Sequence, residues 1–175
     1  MENKTLVVYY SRPGKNYVDG DIVDLKVGNT QVVAEKIQRL VHSDIFRIVP
    51  ETAYPADYTE CTNVAKTEKN ANARPKYKGE VENFGDYDVI FLGYPNWWGT
   101  MPMVVFTFLE SHDFAGKTII PFCTNEGSGM GSSESDLRRL CPKATLVKGL
   151  PIKGSTVNDA AADKTLSDWI KRVMP

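Results

Sequence analysis

Cysteine and histidine are scarce in this 175-residue chain, with three of the first and two of the second. Cys61, Cys123 and Cys141 lie far apart and form no Cys-x-x-Cys, which argues against a disulfide scaffold and a cysteine-rich zinc site. His42 and His112 are too few for a histidine-rich metal centre. Net charge is missing too. Twenty-one Lys and Arg against 22 Asp and Glu leave −1, which gives no electrostatic support to general nucleic-acid binding. Apolar runs stop at strand length, so no segment reads as a membrane span. Residues 1–10 hold too short an apolar stretch for a signal-peptide core, and the expected compartment is the cytoplasm. What is present is an ordinary globular composition, 42% hydrophobic and 25% charged. It fits one domain over residues 1–175, large enough to bury a core without staples.

Strand and helix patterns alternate along that domain. Thr5–Tyr10 is apolar, β-branched and aromatic, and ends at the turn-forming Ser11-Arg12-Pro13-Gly14, which predicts a buried strand. Thr30 opens a helix whose Val33, Ala34, Ile37, Leu40 and Val41 make one stripe. Asp44–Val49, Val89–Tyr94, Thr118–Cys123 and Thr145–Val147 read as further strands. Helices are expected over Tyr58–Asn70, Met103–Glu110, Glu134–Leu140 (with Ser132 or Ser133 as cap) and Asn158–Val173. The polar stretch 71–86 reads as surface connection. Strands alternating with helices imply right-handed crossovers and a parallel sheet covered on both faces, a three-layer doubly wound α/β domain.

Ligands of such sheets bind outside the carboxyl ends of the strands. Three loops there have unusual compositions. Ser11–Thr30 ends in Gly28-Asn29-Thr30 at a helix start, where free amides and the helix dipole favour an anion. Arg12 and Lys15 would add positive charge. Pro95–Pro102 holds the adjacent Trp97 and Trp98 between Gly and Pro, and at least one indole should be partly exposed as a flat stacking surface. Thr124–Gly131 combines glycines with Thr124 and Asn125, which can bond a polar ring edge. Neither Gly-rich segment has the spacing of a Walker loop, a dinucleotide fingerprint or a nucleophile elbow. One loop for a phosphate, one for a planar ring and one for its polar edge point to a phosphorylated aromatic cofactor.

The Ser11-Arg12 start, Gly28–Thr30, the Gly-Tyr-Pro-Asn-Trp-Trp-Gly run (Gly93–Gly99) and Thr124–Gly129 together resemble the flavodoxin-like family, in its subgroup with a Trp-Trp loop. The resemblance covers nearly the whole chain. It implies a five-stranded parallel sheet of order 2-1-3-4-5 with FMN at its carboxyl edge. Carried over by position, Ser11, Arg12, Gly28, Asn29 and Thr30 would hold the phosphate. Tyr94, Pro95, Asn96, Trp97, Trp98 and Gly99 would lie along the ribityl chain and ring, and Thr124, Asn125, Glu126 and Gly127 would meet the pyrimidine edge. The family keeps its phosphate motif contiguous, whereas here residues 13–27 intervene. Either the insertion folds away as a flap, or Pro13, Gly14 and Asn16 replace part of the phosphate nest.

The implied function is that of an FMN-binding electron-transfer protein with a redox partner protein or a small-molecule acceptor. The near-zero net charge gives little long-range steering toward a basic partner, which raises the alternative of an FMN-dependent NAD(P)H:quinone-type oxidoreductase. A binding module that has lost FMN is a second alternative. A phosphatase-like reading of Cys123 fails for want of an arginine in the following loop. Asp19-Gly20-Asp21 lacks the glycine position and closing Glu of a calcium loop and reads as a solvated flap. Tyr17, Val18, Ile22, Val23 and Leu25 are apolar enough to face either the flavin or the second subunit of a homodimer.

Overall fold

The computed structural model describes residues 3–174. Strand β1 (Thr5–Tyr9) is followed by a hairpin of β2 (Gly14–Val18) and β3 (Asp21–Leu25), helix α1 (Asn29–Val41) and strand β4 (Asp44–Arg47). The short β5 (Val49–Pro50) precedes α2 (Tyr58–Asn70) and pairs with β6 (Tyr77–Lys78). Then come β7 (Val89–Pro95), α3 (Met103–Glu110), β8 (Thr118–Asn125), α4 (Ser133–Leu140), β9 (Thr145–Leu146), β10 (Leu150–Lys153) and α5 (Ala160–Val173).

β4, β1, β7 and β8 lie side by side and parallel, and β9 and β10 both pair with β8. Taken as two halves of one strand, β9 and β10 complete the expected 2-1-3-4-5 order. Alternation along β1 sorts the core, as a two-residue period requires. Leu6, Val8 and Tyr10 join the α3 and α4 side, with Phe108 and Leu137; Val7 and Tyr9 join the α1 and α5 side, with Ile37, Leu166 and Trp169. Gly93 lets β7 and β8 close up, since a Cβ there would run into the Phe122 ring.

Four expectations need correcting. The fifth strand does not end at Val147. It breaks at Gly149, whose backbone N–H donates to Glu134 Oε1 at 2.6 Å and where a Cβ would strike Met130, then resumes as Leu150–Lys153. Pro151 is tolerated because β10 is an edge strand. Leu40 is off the buried stripe, 47% exposed at the end of α1. Neither serine caps α4 with its side chain: the Ser132 hydroxyl donates to Gly99 O and that of Ser133 to Met130 O. Within 71–86, Tyr77–Lys78 forms β6 and Phe84–Asp86 a 3-10 turn.

The insertion 13–27 folds as a two-stranded hairpin. Asp19 and Gly20 form its two-residue turn with φ of +52° and +97°, the left-handed pair that twist-matched hairpins require.

Candidate functional site

The carboxyl ends of β1, β7, β8 and β10 share one sheet edge, and the loops leaving them enclose a cleft of about 330 Å³. One end is built around the start of α1. Gly28 is the cap residue, and Ser11, from the end of β1, accepts the Gln31 amide at 3.0 Å. The Val32 amide returns to Gly28 O. The amides of Asn29 and Thr30 have no acceptor among the described residues, and both residues line the cleft. This is the donor pattern an anion completes. Gly28 must be glycine, because a Cβ would overlap Ser11 Oγ and lie 2.8 Å from Arg12 O. Buried Thr30 and Thr124 share a hydroxyl hydrogen bond of 2.7 Å that ties α1 to the end of β8.

The middle of the cleft is walled by Pro95, Asn96 and Trp97. Trp97 is held from behind by edge-on contacts to Tyr10 and Tyr54, with ring centroids at 5.3 and 5.0 Å. Tyr54 in turn donates to Glu68 at 2.7 Å, and burial pushes the pKa of both groups above its ordinary value. Thr124, Asn125, Glu126 and Ser128 close the far wall. Three of the expected side chains line the cleft and also hold its loops. Asn96 donates to Gly129 O and accepts from Gly99 N, both at 2.9 Å. Asn125 donates to Cys123 O and Ile152 O and accepts from Gly127 N. Glu126 ties two segments to the cleft: Oε2 accepts the Asp19 amide at the hairpin tip (3.1 Å), and Oε1 accepts the Ser155 amide (3.0 Å). Lys153 also bonds Asp19, at 2.7 Å.

Other expected residues are placed differently. Pro13 and Gly14 do not line the cleft but a neighbouring pocket with Val49, Pro50 and Tyr54. Lys15 pairs with Asp24 across the hairpin and does not line it. Asn16 does line it, with its amide donating to Arg12 O and Gly14 O. Arg12 lines it while its guanidinium donates to the carbonyls of Lys15, Pro55 and Ala56, so its donors hold the hairpin to the segment before α2. Tyr94 is fully buried and donates to Ser133 Oγ at 2.9 Å. Gly99 and Gly127 shape turns beside the cleft without lining it.

Trp98 faces a second lobe of about 430 Å³ that shares Arg12, Asn16, Tyr58, Asn96 and Trp97 with the first. Its indole is 45% exposed and donates to Thr62 O at 2.9 Å. Trp98 and Gly99 form the tip of a tight turn closed by Trp97 N to Thr100 O at 2.8 Å. Trp98 has φ of +54°, a strained value for an aromatic residue.

Among the described residues no helix is long and apolar enough to cross a membrane, and no cluster of three acidic, His or Cys side chains could hold a metal. A family model described as flavodoxin matches residues 24–173. The chain belongs to the flavodoxin family. No curated protein matches it. Among solved structures, this flavodoxin resembles a proposed flavoprotein from Bacteroides eggerthii, at 30% identity over 99% of each chain with a TM-score of 0.79. A second, from Bacteroides uniformis, is 28% identical over 98% of this chain and 99% of its own, with a TM-score of 0.75. A flavoprotein from Lactobacillus acidophilus, solved in complex with FMN, shares the fold at 22% identity over 93% and 98% of the two chains, TM-score 0.66.

Tyr58, Ser128 and Gly154 also line the cleft of this flavodoxin, and sequence reasoning did not assign them. Gly154 follows β10, and a Cβ there would lie 2.5 Å from Asn29 Nδ2 and 2.6 Å from Glu126 Oε1, a crowding visible only in the fold. It went unassigned because the fifth strand was expected to stop short of it.

Proposed function

We propose that this flavodoxin binds FMN in the first lobe and works as a redox protein. The observation that carries this reading is the convergence of two unpartnered α1 amides, from Asn29 and Thr30, with the Pro95–Trp97 and Thr124–Ser128 walls in one cleft. The residues present fit the group. The amides and helix dipole suit its phosphate, Gly28 lets the start of α1 pack against Ser11 and Arg12, and the aromatic-backed Trp97 gives a fixed flat surface for its ring. When bound, FMN supplies the electron transfer, while the protein supplies binding and tuning. The Ser11 and Thr30–Thr124 hydrogen bonds hold the cradle in place before the ligand arrives. Thiols that are all reduced and buried suit a reducing compartment such as the cytoplasm.

The reading is tested by adding FMN to flavin-free protein, desalting and recording the visible spectrum. Retained flavin in one-to-one ratio is expected. A chain that folds but retains none is the binding module instead. A small-molecule oxidoreductase is the second reading, favoured over protein-to-protein transfer by the second lobe. That cavity opens beside the cofactor cleft and is the size of a small-molecule site. The Cys123 thiol, pushed up to about 12 by burial, gives no support to nucleophilic chemistry.

A further inference from the structure

The second lobe is built differently from the first. None of the Thr124–Ser128 residues and none of the α1 start contribute to it. Its walls are the indoles of Trp97 and Trp98 and the Tyr58 ring, and its floor includes Cys61 and Ala65 of α2. No Asp or Glu lines it. Three cations stand near it. Lys66 Nζ is 5.1 Å from the centre of the Trp98 ring, Lys69 Nζ donates to Trp98 O, and Arg12, whose guanidinium donates to backbone carbonyls, lines both lobes. None of these three cations pairs with a carboxylate among the described residues. Trp98 is set there at the expense of a left-handed backbone, and its N–H is tied to Thr62 O, so the indole is aimed.

We propose that the second lobe is a binding site for a planar aromatic molecule bearing negative charge, with its ring against Trp98 and Trp97 and its anionic group toward Lys66, Lys69 and Arg12. Flat indoles recognise the ring by stacking, and the unpaired cations discriminate charge. The lysines are exposed, so their part is modest and screened by salt; the ring surface supplies most of the affinity. The proposal rests on the FMN reading only in leaving this lobe free of the cofactor.

Calorimetric titration of the FMN-saturated protein with anthraquinone-2-sulfonate and with neutral 2-(hydroxymethyl)anthraquinone tests it. The sulfonate is expected to bind more tightly than the neutral ring, by roughly 2- to 10-fold at low salt, with the gap closing as salt is raised. Lys66→Gln with Lys69→Gln should close the gap at low salt. Trp98→Ala should weaken both ligands by roughly 3- to 10-fold, and Trp98→Gly, which suits the turn, serves as a second variant should the first misfold. Equal affinity for the two probes would overturn the charge assignment. Displacement of FMN by the sulfonate would overturn the proposal, because the lobe would then belong to the cofactor. If the protein retains no FMN, the cofactor reading fails by itself, and the same titration on the flavin-free chain still decides the lobe.

Discussion

Replacing Gly28 by alanine isolates how rigid the anion cradle is. Gly28 has an ordinary φ of −64°, so alanine meets no backbone penalty there, only atoms. Its Cβ would overlap Ser11 Oγ and stand 2.8 Å from Arg12 O. The Ser11 hydroxyl can turn away, but the Gln31 amide then loses its acceptor, at about 1 kcal/mol for a lost helix cap. The Arg12 carbonyl has less freedom, because it belongs to the main chain and accepts from Asn16 Nδ2 at 2.9 Å. Moving it adds overpacking strain of about 1–3 kcal/mol. The sum is about 2–4 kcal/mol, which lowers Tm by roughly 4–16 °C in a domain of this size. FMN retention should fall with it, since the cradle moves. Urea melts and FMN titrations of Gly28→Ala and Ser11→Ala side by side separate the two contributions, because Ser11→Ala loses the cap alone. If Gly28→Ala proves no less stable than Ser11→Ala, the Arg12 backbone yields freely and the cradle is not preorganised.

Trp98→Gly should be more stable than Trp98→Ala by about 1 kcal/mol in urea melts, because both lose the indole and only glycine relieves the positive φ. Glu126→Ala should raise amide exchange over residues 14–25 while leaving β7 protected, as the carboxylate that holds the Asp19 amide is gone. Lys117→Met should cost about 2–4 kcal/mol in the same melts, because the buried ammonium donates to Gly85 O and Tyr87 O and its loss strands both carbonyls. Burial pushes Cys123 up to about 12 and Cys141 to about 11, so the native chain holds these protons more tightly than the unfolded one. Their contribution is full below the ordinary thiol value of about 8.5 and is lost as pH rises through 11 to 12. Unfolding free energy should therefore fall over that window, less steeply in Cys123→Ala.

The central strands and most helices were legible because their burial is two-sided or striped, and hydrophobic pattern reports burial. Helix α2 emerged where a weak stripe placed it, helped by the Asp57 side chain accepting the Glu60 amide. The hairpin also had its signal, since Asp19-Gly20 stands between Asn16–Val18 and Asp21–Val23, but the acids drew the reading toward solvent. At the site, residue types placed the loops at the right sheet edge. They did not tell a ligand-facing polar side chain from one that holds a loop, because Asn96, Asn125 and Glu126 each offer the same groups for either task. Only their partners distinguish the two, and Gly129, Ile152, Asp19 and Ser155 among them are far away in the chain.

The base of the hairpin has a topological consequence. Gly14 pairs with Leu25, so the chain leaves the cradle after Arg12 and returns to it nearly where it left. The excursion therefore closes on itself, and Ser11 meets the start of α1 as though the intervening residues were a short link. Length added or removed in matched pairs at the Asp19-Gly20 tip leaves that meeting untouched. An odd change lengthens the turn or slips the pairing of β2 with β3. The tip is thus a place where this fold can acquire new surface over the cleft without renegotiating the cradle beneath.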